Sequence, residues 1–141
     1  MADNLSSGAA GVTVVDEGLI TYTHAIYALH ALAVLIGITT AASVVGSFIG
    51  GIPSIVAVIM NYARRSATRG SFLESHFRWQ IRTFWFAFMW ALIIWVVGVV
   101  LIPVLIGFAV LGAGLVALGV WIIYRVVRGW LALRDRRPMY V

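Results

Sequence analysis

TFWFAFMWALIIWVVGVVLIPVLIGFAVLGAGLVALGVWIIY, Thr83–Tyr124, decides the fold. It runs for more than 40 residues without one Asp, Glu, Lys or Arg. One helix needs about 20 apolar residues to cross a hydrocarbon core roughly 30 Å thick, so this stretch has the length of two crossings and a turn. Gly98 and Pro103 mark the turn, because glycine and proline are costly inside helices and favoured at their ends. Outer-membrane strands alternate polar and apolar residues, and nothing alternates here.

A second uncharged run lies upstream. After Asp16 and Glu17 no charge follows until Arg64. Gly46, Gly50, Gly51 and Pro53 interrupt it. The predicted fold is all-α: a polytopic membrane protein whose four transmembrane helices form two helical hairpins. The predicted spans are Tyr22–Val45, Pro53–Ala67, Ile81–Val100 and Pro103–Val127. The second is short, with only about 15 Å of helix between Pro53 and Arg64. It crosses if Arg64 and Arg65 extend their heads to the interface, or if the bilayer thins. A re-entrant element is the alternative.

Composition agrees. Of 141 residues, 62% are hydrophobic and 11% charged. Soluble domains average about 45–50% and about 25%, so this chain lacks the side chains to wet its own surface. There is no cysteine, which excludes disulfides and thiolate metal sites.

The net charge of +5 would fit nucleic acid, but the arginines sit elsewhere. Arg64, Arg65, Arg69, Arg78 and Arg82 fall between the second and third spans. Arg125, Arg128, Arg134, Arg136 and Arg137 follow the fourth. Two spans separate the groups, so both lie on one side, and the positive-inside rule makes that side cytoplasmic. Span parity puts the N-terminus there too. The organisation expected is a polar, mobile segment over residues 1–21 and a membrane domain over 22–128. An arginine-rich cytoplasmic tail over 129–141 follows. The first residues lack the basic region of a secretory signal.

The loop between the second and third spans carries the most information. Ser71 and Glu74 have capping-box spacing. Phe72, Leu73, His76, Phe77, Ile81 and Phe84 share a face opposite Arg78 and Arg82, and Glu74 precedes Arg78 by one turn. An amphipathic helix over about 71–81, lying in the interface before the third span, is predicted. It is either a plain anchor or a docking surface for anionic head groups or a partner. Arg64, Arg65, Arg69, Phe72, His76, Phe77, Arg78 and Arg82 are the candidate contacts.

His30 is the one ionisable group deep in a span and should face the bundle interior. Bis-histidine haem ligation needs a mate at similar depth on another helix, which His30 lacks unless the loop dips inward and brings His76 to it. No cofactor, metal or catalytic residue is assigned. No Asp or Glu lies in a span, which argues against a proton relay. Ala33, Gly37 and Ala41, and Ala109, Gly112, Ala113 and Ala117, form small-residue ridges that pack helices within the chain or against another subunit. Trp90 and Trp95 lie deep as core or lipid-facing bulk. Weak echoes between the hairpins, Val44-Val45-Gly46 with Val96-Val97-Gly98, suit a parallel repeat or simple apolar likeness.

Leu29-His30-Ala31-Leu32, Pro53, Asn61-Tyr62-Ala63-Arg64-Arg65 and Phe72-Leu73-Glu74-Ser75-His76 together resemble small bacterial membrane proteins related to the chloroplast inner-envelope import channel subunit. The likeness covers about Ala25 to Trp90. It departs at Arg82 and Thr83, where family members often carry an asparagine–phenylalanine pair. It implies a four-helix fold and draws attention to His30 and His76. It implies no activity for this chain.

The function expected is a non-enzymatic accessory or assembly subunit in a bacterial inner membrane. Its partners would be anionic lipid head groups and another membrane protein or a second copy, without nucleic acid. The alternatives are a component of a transport or translocation conduit lined by His30, Thr39 and Thr40, and a histidine-dependent lipid or redox enzyme.

Overall fold

The computed structural model describes residues 15–40 and 44–139. It is helical throughout: α1 is Glu17–Thr40, α2 Val44–Arg64, α3 Phe72–Val100 and α4 Ile106–Arg134. Three helices, α1, α3 and α4, are long and apolar enough to cross a membrane.

Helix α1 begins earlier than its hydropathy predicts. Asp16 caps it: the carboxylate accepts the Gly18 N–H at 2.9 Å, and Glu17 sits favourably in the first turn. Residues 17–21 therefore belong to the helix, and residues 1–14 lie outside the described residues.

Pro53 does not open α2; it lies inside it. A proline removes one helical hydrogen bond, a loss that membrane helices tolerate. With 21 residues, α2 measures about 31 Å, twice the length read from Pro53 onward.

The separate interfacial helix expected over about 71–81 is absent as an element. Helix α3 runs unbroken from Phe72 to Val100. No glycine or proline interrupts it before Gly98, and its 29 residues reach about 43 Å. The capping box is also incomplete. Ser71 occupies the cap position without a side-chain bond to the helix, and its hydroxyl donates to the Thr68 carbonyl instead. Glu74 reaches back one residue further than the box requires, to the Gly70 N–H.

A 3-10 turn, Ile102–Val104, joins α3 to α4. Leu105 then takes a left-handed backbone at φ 62. Gly107 packs so closely on the preceding turn that a Cβ would overlap the Gly98 carbonyl and the Ile102 nitrogen. Gly98 is not a breaker; it gives the Leu111 side chain room.

Helix α1 packs chiefly on α2, and α3 on α4, with α1 against α4 as the main bridge between the pairs. Contacts that climb one helix descend its partner. His30 meets Ser54 and Tyr22 meets Met60, whereas Thr83 meets Arg125 and Ile94 lies beside Gly114. Neighbours therefore run antiparallel.

Burial is uneven along the bundle. One core cluster joins Leu19, Ile20, Tyr27, Leu73, Val126 and Leu133, and a second joins Ile26, Ala57 and Phe77. All lie toward the arginine-bearing end. Beyond Thr83 on α3, only Gly98 is buried in that helix. Trp90, Trp95, Val100, Leu105, Phe108 and Val116 are all exposed. Soluble monomers rarely show apolar patches of more than a few hundred Å2, so these surfaces belong in lipid or against another membrane chain.

Candidate functional site

The arginine end is closed by a buried polar cluster. Thr23, Tyr27 and His30 rise along one face of α1, and His76, Gln80 and Thr83 rise along one face of α3. Both triplets follow the four-then-three spacing of a helix face. Tyr27 and His76 join them: the Tyr27 hydroxyl lies 2.9 Å from His76 Nδ1. His76 Nε2 lies 2.7 Å from the Arg137 carbonyl, which can only accept. That ring nitrogen must donate, so Nδ1 accepts from Tyr27 in the neutral ring.

Through this bond the C-terminal segment folds back over the bundle. Arg136 reverses the chain at φ 52, and Met139, which is buried, donates its N–H to Ser75 at 2.9 Å. Arg136 also pairs with Glu17 at 2.7 Å. Asp135 holds Arg134 and Arg137, and hydrogen bonds from those two arginines keep its carboxyl below the usual carboxylate pKa. Residues 129–134, expected in a tail, are the last turns of α4.

A second junction ties α3 to α4. Arg125 donates from Nε to Thr83 Oγ1 at 2.7 Å, and its guanidinium stacks 3.6 Å from the centre of the Trp79 ring. Trp79 returns a bond from its indole nitrogen to the Arg125 carbonyl at 3.2 Å. Planar stacking plus directed donors is what arginine provides and lysine does not.

His30 is buried, as its depth predicts, and meets Ser54 at 3.3 Å through Nδ1. Its Nε2, and both polar atoms of the Asn61 and Gln80 amides, find no hydrogen-bond partner among the described residues. Thr39 is exposed on α1 and bonds back to its own helix, so it shares no path with His30. The Thr40 side chain lies outside the described residues. His24 accepts from the Trp130 indole at 3.0 Å. The three histidines thus have three separate sets of partners. No group of three His, Cys, Asp or Glu gathers around a metal-sized space among the described residues.

The predicted contact face divides in two. Leu73, His76 and Phe77 are fully buried and Phe72 is partly so, because the apolar face of this segment packs on the chain's own core. Leu73, His76 and Phe77 offer no surface to lipid or partner. Arg64, Arg65, Arg69, Arg78 and Arg82 are exposed. Arg64 lies over the Tyr22 ring at 5.5 Å. Arg65, Arg69 and Arg78 line a lateral groove of about 530 Å3 with Tyr62, Ser66 and Glu74.

The small-residue ridges also behave differently from each other. Ala33 is buried, Gly37 touches nothing with the space a Cβ would fill, and Ala41 lies outside the described residues. On α4, Ala109, Gly112, Ala113 and Ala117 all face outward. The close approaches within the chain use other glycines. Gly114 admits Ile94, and Gly129 admits the Tyr27 ring.

Sequence reasoning missed Tyr27, Gln80, Arg125 and Met139. The matching polar stripes on α1 and α3 were a usable signal for Tyr27 and Gln80. Met139 gave none, since its burial depends on the chain reversal at Arg136.

Fold and surface define a helical membrane protein. Compared with known proteins, the sequence matches no family model, no curated protein and no solved structure.

Proposed function

We propose that this protein is a non-enzymatic accessory or assembly subunit of a larger complex in a bacterial inner membrane. It crosses four times as two helical hairpins, with both termini and all the arginines on the cytoplasmic side. The length of α2, 21 residues, supports a full crossing. The arginines gather at one end of the bundle, and the turn between α3 and α4 has no charge.

The ridge Ala109, Gly112, Ala113 and Ala117 carries the reading. Apolar helices associate in lipid through small residues that let backbones approach, because lipid is as apolar as leucine. Among the described residues this ridge is exposed, and the close glycine approaches of the chain's own helices are made elsewhere, at Gly98, Gly107, Gly114 and Gly129. It is shaped for a helix that another polypeptide supplies, whether a different membrane protein or a second copy.

Ala109→Leu with Ala113→Leu tests this. Wild type extracted from its native membrane in mild detergent is expected to migrate in a complex of defined size. The double variant is expected to migrate as monomer with an unchanged unfolding midpoint. A monomeric wild type, or a complex indifferent to both leucines, refutes the proposal.

A further inference from the structure

We propose that the groove between the end of α2 and the start of α3 binds the headgroup of an anionic glycerophospholipid. Arg65 and Arg69 hold the phosphate, and the acyl chains lie along α2 and α3. This rests on the membrane placement proposed above and not on the identity of any partner.

Charge is the first argument. Three arginines and one carboxylate line the groove, a net charge of +2. Arg78 faces Glu74 at 3.4 Å, and Glu74 is also held by the Gly70 N–H. Arg65 and Arg69 have no acidic partner among the described residues. The chain has little acid left to offer them. Glu17 pairs with Arg136, Asp135 with Arg134 and Arg137, and Asp16 caps α1. Two guanidiniums that line one groove without counter-ions offer directed donors to phosphate oxygens, which guanidinium binds in bidentate fashion.

Depth is the second argument, and it selects a lipid over a soluble anion. At the groove's rim the Trp85 indole donates to the Tyr62 hydroxyl at 3.1 Å, and both rings are about half exposed. Tyrosine and tryptophan settle at the level of lipid headgroups. From that rim, Ile59, Ile55 and Ile52 continue down α2, and Met89 and Leu92 continue down α3, all exposed. The ten residues from Tyr62 to Ile52 span about 15 Å, half of a hydrocarbon core about 30 Å thick. A charged cradle, an aromatic rim and an apolar lane one leaflet deep thus lie in the order of a phospholipid's own parts.

The test uses the full chain purified in a zwitterionic detergent and native mass spectrometry. Phosphatidylglycerol, phosphatidylethanolamine and inorganic phosphate are the probes. Wild type is expected to retain phosphatidylglycerol in preference to phosphatidylethanolamine. Arg65→Gln with Arg69→Gln is expected to lower that preference about thirtyfold, each arginine near an anionic surface contributing about fivefold. Arg65→Lys with Arg69→Lys keeps the charge, loses the bidentate donors and falls between. Arg128→Gln with Arg134→Gln removes equal charge outside the groove and leaves the preference intact. An equal loss in that control pair, or none in the glutamine pair, overturns the proposal. Displacement of the lipid by millimolar inorganic phosphate overturns the lipid assignment. A chain that stays monodisperse without detergent overturns the membrane placement instead, so the two failures are distinguishable.

Discussion

Replacing Gly129 by alanine adds one methyl group to α4, and its consequences can be worked through from the contact with Tyr27. The new Cβ would stand 2.5 Å from the Tyr27 hydroxyl oxygen, 2.6 Å from Cε1 and 2.8 Å from Cζ. Carbon atoms in contact prefer about 3.5–4.0 Å, so the ring must retreat by roughly 1 Å. Tyr27 is only 1% exposed and has little room to do so. Overpacking of this kind costs about 1–3 kcal/mol. The retreat also stretches the 2.9 Å bond to His76, a further loss of about 0.5–1.5 kcal/mol. Alanine is the better helix former by about 1 kcal/mol, which offsets part of the penalty. The net expectation is about 1–3 kcal/mol of destabilisation, because the clash outweighs the propensity. Two assays read it. The unfolding midpoint in detergent falls. Because the chain has no cysteine, Met139→Cys provides a single reporter, and its maleimide labelling speeds up as the His76–Arg137 bond loosens. Tyr27→Leu removes the obstructing ring and makes the alanine less harmful than it is alone. An unchanged midpoint with unchanged labelling would refute the packing of α1 on α4 at this point.

Other expectations follow the same logic. Arg125→Lys loses the Thr83 bond and the stack on Trp79, and a loss of about 1–3 kcal/mol is expected in unfolding followed by tryptophan fluorescence. Leu105→Gly relieves a left-handed backbone that costs a non-glycine residue about 1–2 kcal/mol, so thermal stability rises, whereas Gly107→Ala lowers it. Single cysteines at Ser66 and Val104 react with a membrane-impermeant reagent from opposite sides, and labelling from the same side contradicts a crossing by α3. The lowered Asp135 pKa means its stabilising pairs are complete above the ordinary carboxylate value and are lost only as pH falls through the depressed one. Reporter labelling at position 139 is therefore flat through mildly acidic pH and rises only in stronger acid, and Asp135→Asn flattens that rise.

Hydropathy made the helices legible because it is a local property, and a charge-free run needs no tertiary knowledge to interpret. Boundaries were harder wherever a residue with a strong reputation met a permissive setting. Pro53 reads as a start signal, yet α2 carries it in its interior. The face of Phe72, His76 and Phe77 was visible in the sequence; its occupant was not. Amphipathicity says that a face is buried and leaves open whether lipid or the chain itself covers it. The ridge on α4 shows the same ambiguity from the other side. Small side chains permit close approach, but permission is identical at Gly114, where Ile94 enters, and at Ala113, which is exposed among the described residues. The Tyr27–His76–Arg137 connection joins residues 49 and 61 positions apart, and spacing alone could not have supplied it.

The concentration of buried side chains at one end has a mechanical corollary. Among the described residues, the side-chain hydrogen bonds between the two helix pairs, Tyr27 to His76, Tyr62 to Trp85 and His24 to Trp130, all lie there, like the pivot of a pair of tongs. Opening or closing the far ends breaks none of these three bonds, and the surrounding acyl chains contribute to the resistance. The angle between the two helix pairs is then a property of bilayer thickness and lateral pressure as much as of the polypeptide, and a thinner membrane sets it differently without any change at the pivot.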